Sequence, residues 1–64
     1  MDDTTIHAMQ TTLKSVKTRA IRALEELNQE KYQNSLLILM AMILDLSNVA
    51  YDLNRHILYY KLKE

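Results

Sequence analysis

The chain has 64 residues, with no cysteine, glycine or proline, and its eight basic side chains balance eight acidic ones. A chain of this length forms a single domain with a marginal core, and without cysteine it has neither a disulfide nor a cysteine zinc site to stabilise it. The absence of glycine argues against a β fold and against phosphate-binding loops. Zero net charge gives no general attraction to nucleic acid. The composition therefore predicts a small all-α protein that needs a partner for stability.

The first predicted helix covers residues 4–28, approximately. The residues before it supply capping side chains and negative charge at its start. Its apolar residues recur at alternating steps of three and four, the heptad pattern of a helix that packs lengthwise against another helix. The seam predicted on this helix consists of Ile6, Met9, Leu13, Val16, Ala20, Ala23 and Leu27.

The second predicted helix covers residues 35–62, after a polar turn at 29–34. The apolar seams of the two helices are out of register, and the break falls where Asn28 can end one helix and Asn34 or Ser35 can cap the next. We predict an antiparallel two-helix hairpin, a single domain over 1–64; one bent helix is the alternative, because no glycine forces the turn. The seam predicted on the second helix consists of Leu36, Leu39, Ile43, Leu46, Ala50, Leu53, Ile57 and Tyr60.

A further apolar stripe runs along the second helix beside this seam, and we name it the outer stripe. The first helix can cover only one face of the second, so the outer stripe has no mate within the chain. An apolar patch of this size marks an interaction site, which either a second copy in a four-helix bundle or a different protein would bury. The predicted partner-binding residues of the outer stripe are Leu37, Met40, Leu44, Tyr51 and Leu58.

No residue pattern indicates catalysis, a cofactor or a metal. The serines lack a glycine elbow and a positioned histidine. Each histidine follows an aspartate four residues earlier, as in ordinary helix surface pairs. The apolar run Leu36–Leu44 is shorter than the about 20 residues that span a bilayer, and the polar start does not resemble a signal peptide. We expect neither an enzyme nor a membrane protein.

RNA is an alternative partner, because the first helix carries a cluster of basic residues. Rop-like proteins, which are dimers of helical hairpins that bind paired RNA loops, are similar in length and seam. The charges here spread over a wide arc, and this helix has no aromatic residue to stack on bases. We therefore expect a solvated helix face, and not an RNA site, at Lys14, Lys17, Arg19 and Arg22.

One segment resembles a known family. Residues Lys31–Ile38, which read KYQNSLLI, precede an apolar helix that ends in Tyr59–Tyr60. This arrangement resembles the small co-chaperones of type III secretion needle proteins. The resemblance implies a non-catalytic hairpin of the bacterial cytoplasm with a role in protein transport and virulence. Its partner would be a helical-repeat, TPR-like chaperone that holds the needle subunit before export. A small phage or plasmid inhibitor of a host protein is a further alternative.

Overall fold

The structure, a computed structural model, describes the backbone of residues 2–63 and the side chains of residues 2–59. Two helices, α1 (Asp3–Asn28) and α2 (Tyr32–Lys63), pack against each other, and this part of the chain contains no strand. The predicted all-α antiparallel hairpin is confirmed, and the single bent helix is wrong. The predicted seam position Tyr60 lies outside the described side chains.

The first helix begins with a side-chain cap. Asp2 is the N-cap residue, and its carboxylate accepts a hydrogen bond of 2.7 Å from the backbone amide of Thr5. Hydrogen bonds from the Thr5 hydroxyl and amide hold the pKa of Asp2 below its usual range. The charged cap also offsets the positive end of the helix dipole. Its contribution to stability is present at neutral pH and is lost on acidification, as the pH falls through the lowered pKa.

The chain reverses in a three-residue turn between the helices. Glu30 has a φ of 62°, in the left-handed region that usually holds glycine. The amide of Lys31 donates to the carbonyl of Glu26 at 2.9 Å, and the amide of Glu30 donates to the carbonyl of Leu27 at 3.0 Å. This pair of hydrogen bonds is a Schellman motif, which satisfies the last carbonyls of α1.

The turn is shorter than the sequence predicts. Glu30, and not Asn28, takes the left-handed conformation. α2 begins at Tyr32, three residues before the predicted start, so Asn34 and Ser35 lie inside its first turn and do not cap it. The reason is that the Schellman hydrogen bonds end α1 within two residues and allow a new helix to start at once.

Replacing Glu30 by glycine is expected to stabilise the hairpin by roughly 0.5–1 kcal/mol. A side chain in the left-handed region costs about 1–2 kcal/mol, and glycine removes this cost. The greater conformational freedom of glycine in the unfolded chain cancels only part of that gain. Chemical denaturation followed by circular dichroism measures the difference. The control, Glu30→Val, is expected to destabilise, since β-branched residues tolerate positive φ poorly. A glycine variant that is no more stable than the parent would contradict the left-handed turn.

The helices meet along a seam that has small side chains at the turn end and larger ones, such as Met9 and Met42, farther away. At the turn end of this interhelix seam, the Ser35 hydroxyl donates a hydrogen bond of 2.9 Å to the Ala23 carbonyl. Such a bond brings the two backbones close together, and only small residues allow that approach. Each helix contributes buried residues spaced by seven, and these are Met9, Val16 and Ala23 on α1 and Ser35, Met42 and Val49 on α2.

The predicted seam is correct on α1 for Met9, Val16 and Ala23, and it is wrong on α2. The sequence argument assigned the largest aliphatic side chains to the centre of the contact. The Ser35 hydrogen bond to Ala23 instead places the series from Ser35 against α1, so the series from Leu36 lies to one side. The predicted seam residues that are exposed are Ile6, Leu13, Ala20, Leu27, Leu36, Leu39, Ile43, Leu46, Ala50, Leu53 and Ile57.

A larger side chain at Ser35 is expected to separate the helices. Ser35→Leu should lower the free energy of unfolding by about 1–3 kcal/mol, the usual cost of overpacking a filled contact. Ala41→Leu is the control, because Ala41 is exposed on the same helix, and it should change stability by less than about 0.5 kcal/mol. Urea denaturation measures both. Equal effects of the two substitutions would show that Ser35 does not lie in a close contact.

Candidate protein-binding surfaces

One edge of the hairpin is polar. The Arg19 guanidinium pairs with the Asp45 carboxylate across the two helices, and both side chains are partly exposed. Thr5, Thr12 and Asp52 lie on the same side and line a shallow groove of about 340 Å³ together with Asp45. Exposed pairs of this kind contribute little to stability, typically about 0–1 kcal/mol. The Arg19–Asp45 pair instead orients the helices, because it holds one edge of α1 beside one edge of α2.

The opposite edge is apolar along its whole length. In an antiparallel pair, the positions across the seam from Arg19 and Asp45 also lie together, on the other side. We name this surface the apolar face. Every member is apolar and exposed, and those next to the seam, such as Leu46, are the most covered. The apolar face consists of Ile6, Leu13, Ala20 and Leu27 on α1 and Leu36, Leu39, Ile43, Leu46, Ala50, Leu53 and Ile57 on α2.

The outer stripe is a second exposed surface, which meets the apolar face only at Met40, beside Leu36 and Ile43. Its five residues are 50–62% exposed, as expected for side chains that α1 cannot reach. Leu44 of the outer stripe and Leu46 of the apolar face point about 160° apart around α2, because successive residues turn by about 100°. The structure thus brings the predicted partner-binding residues to one surface. Their role in binding remains a prediction.

The sequence reasoning missed two contacts on these surfaces. The Arg55 guanidinium lies over the Tyr51 ring, 5.8 Å from its centroid. The spacing of four residues was a signal for that contact. The Arg19–Asp45 pair joins residues 26 apart in the chain, and no local pattern indicates it. This pair also engages one member of the basic cluster, while Lys14, Lys17 and Arg22 are exposed.

The structure also bears on a metal site and on a membrane-spanning helix. Among the described residues, no group of three or more histidine, aspartate or glutamate side chains is placed to hold a metal ion. By length and composition alone, Tyr32–Tyr59 is long and apolar enough to cross a membrane. This segment is much longer than the apolar run Leu36–Leu44, whose shortness was the reason to expect no membrane protein.

No protein family, curated protein or solved structure shows significant similarity to the chain.

Proposed function

We propose that this protein is a non-catalytic protein-binding hairpin that docks the outer stripe of α2 on a helical partner. The observation that carries this proposal is the exposure of five large side chains that the hairpin leaves uncovered. Exposed apolar patches with polar rims are typical of protein interaction sites. Here Ser47, Asn48 and Asn54 supply the polar rim beside the outer stripe.

The composition of the outer stripe suits docking into a groove between helices. Leu37, Leu44, Tyr51 and Leu58 recur at intervals of seven and form a line along α2, the anchor pattern of helix-in-groove recognition. Tyrosine and arginine carry much of the binding energy at interfaces, and Arg55 rests on the Tyr51 ring. We therefore expect Leu44 and Tyr51 to lie at the centre of the contact.

A protein partner fits these residues better than a lipid bilayer does. Asp45 and Asp52 would each cost about 2.5–3.5 kcal/mol near the centre of a membrane. A helix that lies on a membrane surface usually carries lysine and arginine beside its apolar side. Among the described residues, the flanks of the outer stripe instead hold Ser47, Asn48 and Asn54, with Arg55 as a single basic residue that lies over the Tyr51 ring.

The resemblance of residues Lys31–Ile38 supports a narrower version of the proposal. In that version the partner is the helical-repeat chaperone of a type III secretion needle protein. The hairpin acts as its co-chaperone in the bacterial cytoplasm, and binding covers the outer stripe and stabilises the chaperone while it holds the needle subunit.

Leu44→Asp is expected to weaken binding to such a chaperone at least a hundredfold. The substitution would bury a carboxylate with no partner, at a cost of several kcal/mol. Co-expression of the two proteins, followed by calorimetric titration of the purified pair, measures the effect. Unchanged affinity of the variant would show that the outer stripe is not the docking surface.

The matched control is Ile21→Asp, which introduces the same charge at an exposed aliphatic position of α1. Its affinity should stay within about threefold of the parent, because a solvated charge costs little. A second control is Lys14→Glu combined with Lys17→Glu. If this variant lost binding while Leu44→Asp retained it, the contact would be electrostatic and would weaken steeply as salt rises.

A further inference from the structure

The hairpin is a single layer of helices. Its principal dimensions are 51 × 18 × 11 Å, and its radius of gyration is 15.2 Å, whereas a compact domain of this length has a radius of about 11 Å. The chain exposes 5430 Å², roughly 1,200 Å² more than the approximately 4,200 Å² expected for a compact protein of this mass. Globular domains have at least two packed layers around a core. The hairpin therefore lacks its second layer.

The apolar face is where the second layer fits. It borders the interhelix seam, so a layer placed there would extend the existing core over Met9, Val16, Met42 and Val49. The opposite edge carries the Arg19–Asp45 pair, which a covering layer would have to desolvate at a cost. The members of the apolar face are all apolar, and Gln10 and Lys17, which border it on α1, have long side chains that can keep their polar ends in water at the rim of a covering layer.

We infer that a second copy of this chain covers the apolar face and that the two hairpins form a four-helix bundle. A symmetric interface must be self-complementary, and a face without charge does not repel its own copy. The zero net charge of the chain removes long-range repulsion as well. The apolar face runs from Ile6 to Leu27 along α1, which is nearly the whole helix. A second hairpin has the right length to cover it from end to end.

The excess surface of the whole chain is large enough for a homodimer interface. If each copy buried its excess surface of roughly 1,200 Å², the shared interface would be roughly 2,400 Å², within the range of about 2,000–5,000 Å² for obligate dimers. The small side chains Ala20 and Ala50 lie among the large ones and leave space for side chains of the second copy. This inference does not rest on the proposed function, because Leu37, Leu44, Tyr51 and Leu58 of the outer stripe point away from the interhelix side of the apolar face; Met40 alone borders both surfaces.

The test is the mass of the purified full-length chain in solution, by sedimentation equilibrium over a hundredfold range of concentration, with helicity followed by circular dichroism. We expect twice the 7.5 kDa of one chain, with helicity that falls only when dilution separates the copies. A monomer with full helicity at every concentration would overturn the inference.

Leu46→Asp and Leu44→Asp are a matched pair that locates the interface. They make the same change on the same helix, two residues apart, at positions that are 41% and 62% exposed in the single hairpin. Leu46→Asp should raise the dissociation constant of the dimer at least a hundredfold, since each copy would bury a carboxylate. Leu44→Asp should change it less than threefold. Equal weakening by both variants, or weakening by Leu44→Asp alone, would overturn the assignment of the apolar face.

A milder pair covers the case in which Leu46→Asp leaves the chain unfolded. Leu46→Ala keeps high helix propensity and should raise the dissociation constant about tenfold, whereas Leu44→Ala should leave it unchanged. An unchanged constant for Leu46→Ala would overturn the inference. A dimer that forms as expected while Leu44→Asp still binds the chaperone would contradict only the proposed function, so the two failures are distinguishable.

Discussion

The close contact between Ala23 and Ser35 determines the arrangement of the rest of the hairpin. Because the Ser35 hydroxyl reaches the Ala23 carbonyl, the two backbones lie close together at the turn end of the seam, where both buried residues are small. Farther from the turn, larger residues such as Met42 and Val49 fill the seam. With the series from Ser35 turned towards α1, the series from Leu36 lies at one edge, where it forms part of the apolar face. A tight seam and a large exposed apolar surface thus have the same cause.

The fold class, the hairpin and the exposure of the outer stripe could be predicted from sequence, whereas the rotation of α2 could not. Steps of three and four fit the series that begins at Leu36 and also the series that begins at Ser35, which is one position earlier. Hydrophobicity alone favours the first series, because its members are larger. Two contacts select the second, namely the Ser35 hydrogen bond and the Arg19–Asp45 pair. Both join residues that are distant in the chain.

The position of the turn, like the rotation of α2, could not be predicted from the sequence. The sequence contains candidates for capping, since Asn28 and Asn34 are typical of helix ends. The structure instead uses Glu30 in the left-handed conformation and begins α2 immediately afterwards. Backbone hydrogen bonds to Glu26 and Leu27 determine the point of reversal. The identity of the residue at positive φ is secondary to them, and propensity alone cannot locate such a turn when glycine is absent.

The thin interhelix seam has a consequence for turnover in the cell. The buried apolar residues of the described chain are Met9, Val16, Ala23, Met42 and Val49, and no side chain there is fully enclosed. An isolated hairpin with so small a core opens often, and proteases cleave chains in the open state. Copies that lack a covering layer are then degraded first, which would tie the abundance of the protein to that of whatever covers it.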